Sequence, residues 1–482
     1  MSDGSSTDAL VGILRREVAG LAPGARLPSS RDLIARHGVG PVTVSRAIAQ
    51  LAAEGLVVTR PGSGTFVAVR RSRPGSQAPD TSWQAVALAG RPQAPGGDPG
   101  AESGAEPGAE PGGTDDTSAT APAGTISLAG GYLHENLQPV RALGAALARA
   151  ARRPDAWRRA PAVGLAPLRA ILARQAGPGV RPEDVLVTGG GQGALSMLFR
   201  AIAAPDSPVL VESPTYPGAL AAARAAGLRP VPVPIDEDGL RPDLLADAFA
   251  MTGARLLYCQ PTFHNPTGTV LPPDRRRQIV DVARAAGAFL IEDDFARHLG
   301  HGRPVPPPLV ADDRDGTVVH LTSLTKPASP SLRIGALIAR GPVMGRLRGM
   351  RLVDDFFVAR PLQEAAVELL STPAWDRHLR TLGTALGERC AVLSGALAQD
   401  LPDWVPVRVP AGGLHLWLRL PEPLADGAVA DAARVAGVAV NAGRRYFPAE
   451  PPAAHLRLGF AAAADQADLV EAVRRLAAAV VR

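Results

Sequence analysis

One lysine occurs in the 482 residues, Lys326, although arginine is abundant. Arginine stays charged and does not act as a nucleophile, so Lys326 is the one side chain that offers a deprotonatable primary amine. Such an amine condenses with an aldehyde to form a covalent imine. The count alone leaves two interpretations open: a position that needs this chemistry, or a bias toward arginine that left one lysine by chance.

Cysteine and long apolar runs are scarce as well. The two cysteines, Cys259 and Cys390, form neither a disulfide framework nor a metal-ligand pattern. The polar and acidic residues before Leu10 differ from the charged and apolar segments of a signal peptide, and no apolar run reaches the ~18 residues of a membrane span. We therefore expect a soluble, cytoplasmic protein without a membrane partner and without a bound metal.

The composition changes abruptly along the chain. Residues 70–124 are dominated by proline, glycine, alanine, serine and glutamate. A segment of this kind cannot bury enough apolar surface to offset its ordering entropy, which predicts a disordered linker. The patterned regions on either side, residues 1–69 and 125–482, are the predicted domains. The formal net charge of +5 permits a polyanionic partner without requiring one.

The first domain shows three helical patterns and then a hairpin pattern. Apolar residues recur with helical spacing over residues 10–21, and Ser29 and Asp32 have capping-box spacing at the start of a second helix. A third helix is predicted at 42–54, and residues 56–67 read as two strands around a glycine-rich turn. Three helices and a hairpin predict a winged helix-turn-helix, whose third helix enters the major groove of DNA.

Residues 10–68 resemble the GntR family of bacterial regulators. The matching segments are residues 27–31, 43–47, 53–57 and 62–67. The chain departs from the family where Gly40-Pro41 replaces the usual Ser-Arg, and where Ser45 stands at a position that is frequently arginine. The resemblance implies a double-stranded DNA operator as partner, contacted by Arg31, Thr43, Ser45, Arg46 and Gly62. A helical interaction module without nucleic acid is the alternative.

The second domain alternates short apolar strands with amphipathic helices, which predicts an α/β fold with a mainly parallel sheet. A strand at residues 185–188 runs into a glycine-rich turn at 189–193. Such a turn lets backbone N–H groups approach a phosphate at a helix N-terminus, although glycines also serve ordinary tight turns. Tyr216 follows the next strand, where its ring either stacks on a flat ligand or packs in the core.

The order of segments over about residues 125–482 resembles the fold-type I aminotransferases, which bind pyridoxal 5'-phosphate. Besides the glycine-rich turn, the matching segments are residues 261–268, 289–295 and 323–335, the last of which contains Lys326. The resemblance implies a covalent bond between Lys326 and the cofactor, with Asp293 on the pyridine nitrogen and Asn265 on the phenolic oxygen. Asp294 is the alternative carboxylate.

The remaining cofactor contacts follow from the same resemblance. It implies that the ring stacks on Tyr216 and that the phosphate is held by Ser323, Arg333, Gly191 and Gln192. A guanidinium suits a phosphate dianion, and a carboxylate keeps the ring nitrogen protonated. Arg457 matches the arginine that binds a substrate carboxylate in these enzymes, with a structural arginine as the alternative. The chain departs from the pattern at Phe295, where relatives usually place a tyrosine.

A winged helix, a linker and an aminotransferase-like domain in this order resemble the MocR subfamily of GntR regulators. The resemblance implies a homodimeric, pyridoxal phosphate-dependent transcriptional regulator whose operator binding responds to an amino compound or to the cofactor. Two alternatives remain: an active aminotransferase that carries an accessory DNA-binding module, and a cofactor-binding scaffold with neither activity. Partial transamination chemistry is compatible with the regulator.

Overall fold

The computed structural model describes residues 3–60, 63–68 and 124–480. The chain divides into two compact units, Met1–Asp80 and Thr81–Arg482. Residues 70–123 of the predicted linker, and the candidate DNA contact Gly62, lie outside the described residues. Among the helices that are described, none is long and apolar enough to cross a membrane.

The N-terminal unit is the predicted winged helix, with an antiparallel hairpin after three helices. Its elements are α1 (Asp3–Ala19), α2 (Ser30–His37), α3 (Pro41–Ala53), β1 (Val57–Arg60) and β2 (Gly64–Val67). Helix α1 ends at Ala19, so Leu21, which the periodicity included in the helix, lies beyond it and is exposed. The fully buried core residues of this unit include Leu14, Val44, Ala47 and Leu51.

Local side-chain contacts define the start of α2 and the turn of the hairpin. The backbone N–H of Asp32 donates to Ser29 Oγ at 3.3 Å, and the N–H of Ser29 donates to Asp32 Oδ2 at 3.1 Å, which completes the predicted capping box. At Gly64, φ is 112°, and a Cβ there would lie 2.9 Å from the Arg26 side chain. Glycine is therefore required at this point of the wing.

The large unit contains alternating strands and helices. Its strands are β3 (Ile126–Ser127), β4 (Val185–Thr188), β5 (Pro208–Ser213), β6 (Arg229–Asp236), β7 (Gly239–Leu240), β8 (Leu256–Cys259), β9 (Phe289–Asp293), β10 (Val318–Ser323), β11 (Gly335–Ile338), β12 (Val405–Pro406), β13 (His415–Arg419), β14 (Val438–Ala439), β15 (Asn441–Ala442) and β16 (His455–Gly459). Its helices are α4 (Val140–Ala151), α5 (Ala166–Ala176), α6 (Gly191–Ile202), α7 (Pro217–Ala225), α8 (Pro242–Thr252), α9 (Pro273–Ala285), α10 (Pro342–Asp354), α11 (Arg360–Leu370), α12 (Pro373–Asp400), α13 (Asp426–Val435) and α14 (Gln466–Val480). Short 3-10 helices occur at Glu135–Leu137, Pro182–Asp184, Leu309–Ala311, Pro330–Leu332 and Gly443–Tyr446.

The main sheet has eight strands in the order β4-β11-β10-β9-β8-β5-β6-β7. The strands from β10 to β6 pair in parallel, whereas β11 and β7 are antiparallel to their neighbours. Apolar clusters cover both faces, and for this reason β4, β8 and β11 are buried at every residue. The predicted α/β fold with a mainly parallel sheet is confirmed.

A second, smaller sheet of the large unit has the antiparallel order β12-β13-β16-β15. It shares an apolar core with α12, α13 and α14. In the main sheet, the parallel strands β5, β8, β9 and β10 end at the same edge, and so does β4, which runs in the same direction. Ligands of open α/β sheets bind in the crevice outside these carboxyl ends. The loops that carry the candidate site residues leave the sheet at this edge.

Candidate functional site

A pocket at the carboxyl ends of the parallel strands brings the candidate cofactor residues together. Every one of them lines it: Lys326, Asp293, Asn265, Tyr216, Ser323, Arg333, Gly191 and Gln192. Arg457, from the small sheet, lines the same pocket. Residues separated by more than two hundred positions in the chain thus share one cavity, as required of a single ligand site.

Asp293 ends β9 inside this pocket and is 5% exposed. Its Oδ2 accepts hydrogen bonds from Tyr258 Oη at 2.7 Å and from Gln260 Nε2 at 3.0 Å. Its Oδ1 is buried and has no hydrogen-bond partner among the described residues. Burial raises the pKa of Asp293 to about 6, against the opposing effect of the two hydrogen bonds. The carboxylate therefore has one oxygen left for a cationic or N–H donor.

The alternative carboxylate, Asp294, points elsewhere. It pairs with Arg297, and it does not line the pocket. Glu292, the other neighbour of Asp293, does not line the pocket either, and its Oε2 is 2.9 Å from His320 Nδ1. Successive side chains of a strand point to opposite faces, so only the middle of the three acidic residues reaches the pocket.

Glu292, Asp294 and His320 have ligand atoms within 4.8 Å of one another, which is close enough for a metal site. The guanidinium of Arg276, however, lies 3.4 Å from Glu292 Oε1, and Arg297 pairs with Asp294. Two arginines thus balance the two carboxylates. The cluster is a buried ion-pair network on the side of β9 opposite Asp293.

Lys326 follows β10 and projects toward the loop after β3. Its Nζ donates to the carbonyl of Gly131 at 2.7 Å and lies 3.8 Å from the centroid of the Tyr132 ring. The carbonyl and the ring face both attract an ammonium group. This loop therefore holds the amine at one side of the pocket.

Another part of the pocket is suited to an anion. Helix α6 begins at Gly191, and its first backbone N–H groups point outward from the helix N-terminus. At Gly190, φ is 95°, and a Cβ would lie 2.9 Å from Arg333 Cζ, so glycine allows the guanidinium to approach. Ser323 Oγ lies 2.9 Å from Thr325 Oγ1 at the same end. Backbone N–H groups, hydroxyls and a guanidinium are typical donors to phosphate.

Arg457 and Asn265 meet between the two sheets. Arg457 is 2% exposed, and its Nη1 donates to Asn265 Oδ1 at 3.3 Å while Nη2 donates to the carbonyl of Ala129 at 2.7 Å. Tyr216 lies at the start of α7, and its hydroxyl donates to Gln192 Oε1 at 3.1 Å. Arg457 with Asn265, and Tyr216 with Gln192, thus form two hydrogen-bonded pairs within the pocket lining.

In the N-terminal unit, the described DNA-contact candidates lie on two helices. Arg31 is exposed in the first turn of α2, and Ser45 and Arg46 are exposed on α3. Thr43 is half-buried on α3. The exposed face of α3 is opposite the side that packs Val44 and Ala47 into the core, which is the arrangement of a recognition helix.

Comparison with known proteins identifies both units. Residues 128–476 match the family model "Aminotransferase class I and II", and residues 8–67 match "Bacterial regulatory proteins, gntR family". The HTH-type transcriptional regulator YdcR of Escherichia coli (strain K12) is 30% identical over 445 residues, which cover 91% of this chain and 91% of the relative. The similarity to this relative therefore extends over both the winged helix and the aminotransferase-like domain.

The chain belongs to the MocR subfamily of GntR regulators.

Relatives of the large unit of this MocR-type chain are enzymes. The 2-aminoadipate transaminase of Thermus thermophilus is 32% identical over 366 residues, covering 75% of this chain and 91% of the relative. The crystal structure of LysN, an alpha-aminoadipate aminotransferase from the same species, has a TM-score of 0.70 at 31% identity. The match covers 74% of this chain and 92% of the LysN chain. The large unit therefore has the aminotransferase fold.

The MocR-type chain is a DNA-binding transcriptional regulator with pyridoxal phosphate as its cofactor. The residues of the pocket fit this group. Asp293 Oδ1 offers an acceptor for a protonated ring nitrogen, Lys326 offers an amine, and Arg333, which packs against Gly190 at the start of α6, offers a guanidinium to an anion. When bound, pyridoxal phosphate supplies an aldehyde that reacts with primary amines and a ring that withdraws electrons.

Among the residues that sequence reasoning missed, Tyr132, Gln260 and His415 line this pocket, and Tyr258 contacts Asp293 without lining it. Tyr258 and Gln260 contact Asp293, and Tyr132 contacts Lys326. His415 lies on β13, and burial, together with the positive charge of Arg457, lowers its pKa well below the usual value. Gln260 directly precedes the matched segment 261–268, and this proximity was the one available signal.

We predict that Lys326→Ala and Lys326→Arg abolish covalent attachment of the cofactor, because arginine keeps the charge but forms no imine. Borohydride reduction followed by peptide mapping should label the wild-type chain at residue 326 alone. Cofactor that remained covalently attached to the Lys326→Ala chain after reduction would contradict this assignment.

Proposed function

We propose that this regulator binds its operator through the winged helix and that an amino compound, or pyridoxal phosphate itself, changes that affinity. The observation that carries the proposal is the presence of Lys326 and Arg457 in one pocket. The amine of an amino acid can displace the Lys326 amine from the aldehyde carbon of the cofactor, and a guanidinium pairs with the carboxylate of the same ligand. The regulated DNA lies in the cytoplasm, where we place the protein.

The cofactor contacts in this proposal are those that line the pocket. Lys326 bonds to the cofactor, Asp293 pairs with the ring nitrogen, and Asn265 contacts the phenolic oxygen. Tyr216 lies against the ring. The phosphate is bound by Ser323, Arg333 and the backbone N–H groups of Gly191 and Gln192. Arg457, which already holds Asn265 at 3.3 Å, receives the effector carboxylate.

Sensing and catalysis make different demands on this pocket. A ligand shifts a conformational equilibrium only by its difference in affinity for the two states, and rapid conversion to product shortens that signal. Phe295 lines the pocket without a hydroxyl that would tune the proton transfers of an enzyme. The similarity to 2-aminoadipate transaminase is the reason to test the alternative, an active aminotransferase, but it does not favour the enzyme over the regulator. Sustained turnover at ordinary enzyme rates, roughly 1–10³ per second, with no ligand effect on DNA binding would favour the enzyme.

We also propose a homodimer formed through the large unit. Four large apolar side chains are exposed in two segments of this unit: Trp157 at 81%, Leu352 at 48%, Val353 at 76% and Phe356 at 55%. The segments meet at Arg159, whose Cζ lies 5.9 Å from the Phe356 ring centroid. An exposed patch of this kind is typical of a protein interface, and two joined chains present two winged helices to paired half-sites.

We predict that Arg31→Ala and Arg46→Ala in the full-length chain weaken binding to operator fragments recovered from genomic DNA. A plot of the logarithm of the binding constant against the logarithm of the salt concentration has a negative slope, and each lost phosphate contact should reduce its magnitude by about one. Arg16→Ala is the matched control, since Arg16 is exposed at the end of α1 and outside the candidate face. Wild-type affinity for both variants would show that another face contacts DNA.

We predict that Arg457→Ala weakens the response to amino acids by roughly tenfold to a hundredfold, the range expected for a lost charge-assisted hydrogen bond. The response to the corresponding amine without a carboxylate should be unchanged. The visible absorbance of the cofactor reports both responses, and its presence before ligand addition shows that the cofactor is bound. Equal losses for both ligands would assign Arg457 a structural role.

We predict that Trp157→Asp raises the dimer dissociation constant at least about tenfold, because it places a charge in an apolar interface. Sedimentation velocity over a concentration series measures this effect. Met251→Asp is the matched control, since Met251 is 84% exposed on α8, which belongs to neither of the two segments. A monomeric wild type, or equal behaviour of the two variants, would contradict the proposed interface.

A further inference from the structure

Two buried side chains from the β8 end of the sheet hold the Asp293 carboxylate. Tyr258 is fully buried and Gln260 is 2% exposed. Both donate to the same oxygen, Asp293 Oδ2, at 2.7 Å and 3.0 Å. The carboxylate plane is thereby fixed, and Oδ1, which has no partner among the described residues, is the atom that remains for the cofactor ring.

Gln260 has a second contact that connects two cofactor residues. Its Oε1 accepts the backbone N–H of Asn265 at 3.1 Å, while its Nε2 donates to Asp293. The amide has only this one orientation, because a flipped group would place its NH₂ against the Asn265 N–H and its oxygen against a carboxylate. The backbone N–H of Gln260 is in turn held by Glu212 Oε2 at 2.8 Å. The Gln260 side chain therefore joins Asn265, in the loop after β8, to Asp293, at the end of β9.

We propose that Tyr258 and Gln260 are positioning residues: both control protonation of the bound ring nitrogen through Asp293, and Gln260 also fixes the spacing between Asp293 and Asn265. The proposal rests on the roles proposed above for Asp293 and Asn265. It assigns a function to Tyr258, which does not line the pocket, and to Gln260, which lines it.

The charges around Asp293 define the expected pH dependence. Burial raises the pKa of Asp293, the hydrogen bonds from Tyr258 and Gln260 lower it, nearby Asp294 raises it, and Lys326 lowers it. The other titratable groups on this side, Tyr216 and Glu212, raise the pKa of Tyr258, although burial contributes most. Ionised Asp293 attracts a protonated ring nitrogen, so cofactor affinity should fall as the pH falls through the pKa of Asp293. Removal of a donor raises that pKa, and the fall then begins at a higher pH.

The test is the dissociation constant of pyridoxal phosphate for the full-length chain, measured by equilibrium dialysis from about pH 5 to about pH 8. The variants are Tyr258→Phe, which removes one oxygen atom, and Gln260→Met, which replaces the amide by an apolar group of similar length. Each should move the midpoint upward by about one to two pH units, the shift expected for a lost hydrogen bond to a charged group. Cys259→Ser is the matched control, because Cys259 lies between the two residues and contacts Ile291 instead of Asp293.

The two variants should differ at high pH. Tyr258→Phe should regain wild-type affinity there, since Asp293 is ionised in both chains. Gln260→Met should remain weaker at every pH, because Asn265 has also lost its anchor. A general loss of folding would weaken binding in both variants without moving the midpoint.

Asp293→Asn distinguishes an error in the positioning role of Tyr258 and Gln260 from an error in the cofactor contact of Asp293. If it removes the pH dependence while Tyr258→Phe and Gln260→Met keep the wild-type midpoint, the positioning role is wrong and the cofactor assignment stands. If Asp293→Asn itself binds like wild type, the proposed role of Asp293 is wrong. Should Gln260→Met fail to fold, the midpoint of Tyr258→Phe alone decides the protonation claim, and Gln260→Asn, which keeps the amide but shortens its reach, tests the spacing.

Discussion

A carboxylate buried at the end of a central strand is the constraint on which the pocket depends. Burial of a charge is costly unless hydrogen bonds or an opposite charge compensate it. Tyr258 and Gln260 supply two hydrogen bonds to one oxygen of Asp293, and the other oxygen has no partner among the described residues. In the contact proposed for Asp293, a protonated pyridine ring would complete this compensation, and cofactor binding would then stabilise the pocket.

The parallel sheet makes this arrangement possible. Strands β5, β8, β9 and β10 end at one edge, so Asp293 at the end of β9 shares one cavity with Tyr216, Gln260 and Lys326 from the loops that follow the other three strands. The alternation of β9 then separates functions that are adjacent in the chain. Asp293 faces the pocket, whereas its two acidic neighbours belong to an ion-pair network with arginines on the other side.

The division of the chain into two units bears on regulation. Groups suited to bind DNA belong to the N-terminal unit, and groups suited to bind an amino compound belong to the large unit. A ligand of the large unit affects DNA binding only if its affinity differs between conformations of the whole chain. A pocket that contains Lys326, the candidate ring contacts and Arg457 but has Phe295 in place of a tyrosine is compatible with ligand recognition without fast turnover.

Much of the fold and of the candidate site could be predicted from local sequence. The capping box at Ser29 and Asp32, the burial of Val44 and the α/β pattern depend on neighbours within a few residues, and the structure agrees with them. Helical periodicity extended α1 too far, to Leu21, because apolar spacing does not record where the backbone turns.

The sequence by itself determined the two modules, the cofactor class and the candidate cofactor residues, because each rests on a short motif whose residues are close in the chain. Only the tertiary structure decided that Asp293 rather than Asp294 faces the cavity, since strand alternation does not reveal which face of β9 meets it. It also added the contacts of Tyr258, Gln260 and Tyr132. Those contacts join segments that are distant in sequence, and their geometry arises only when the strands pair and the loops pack together.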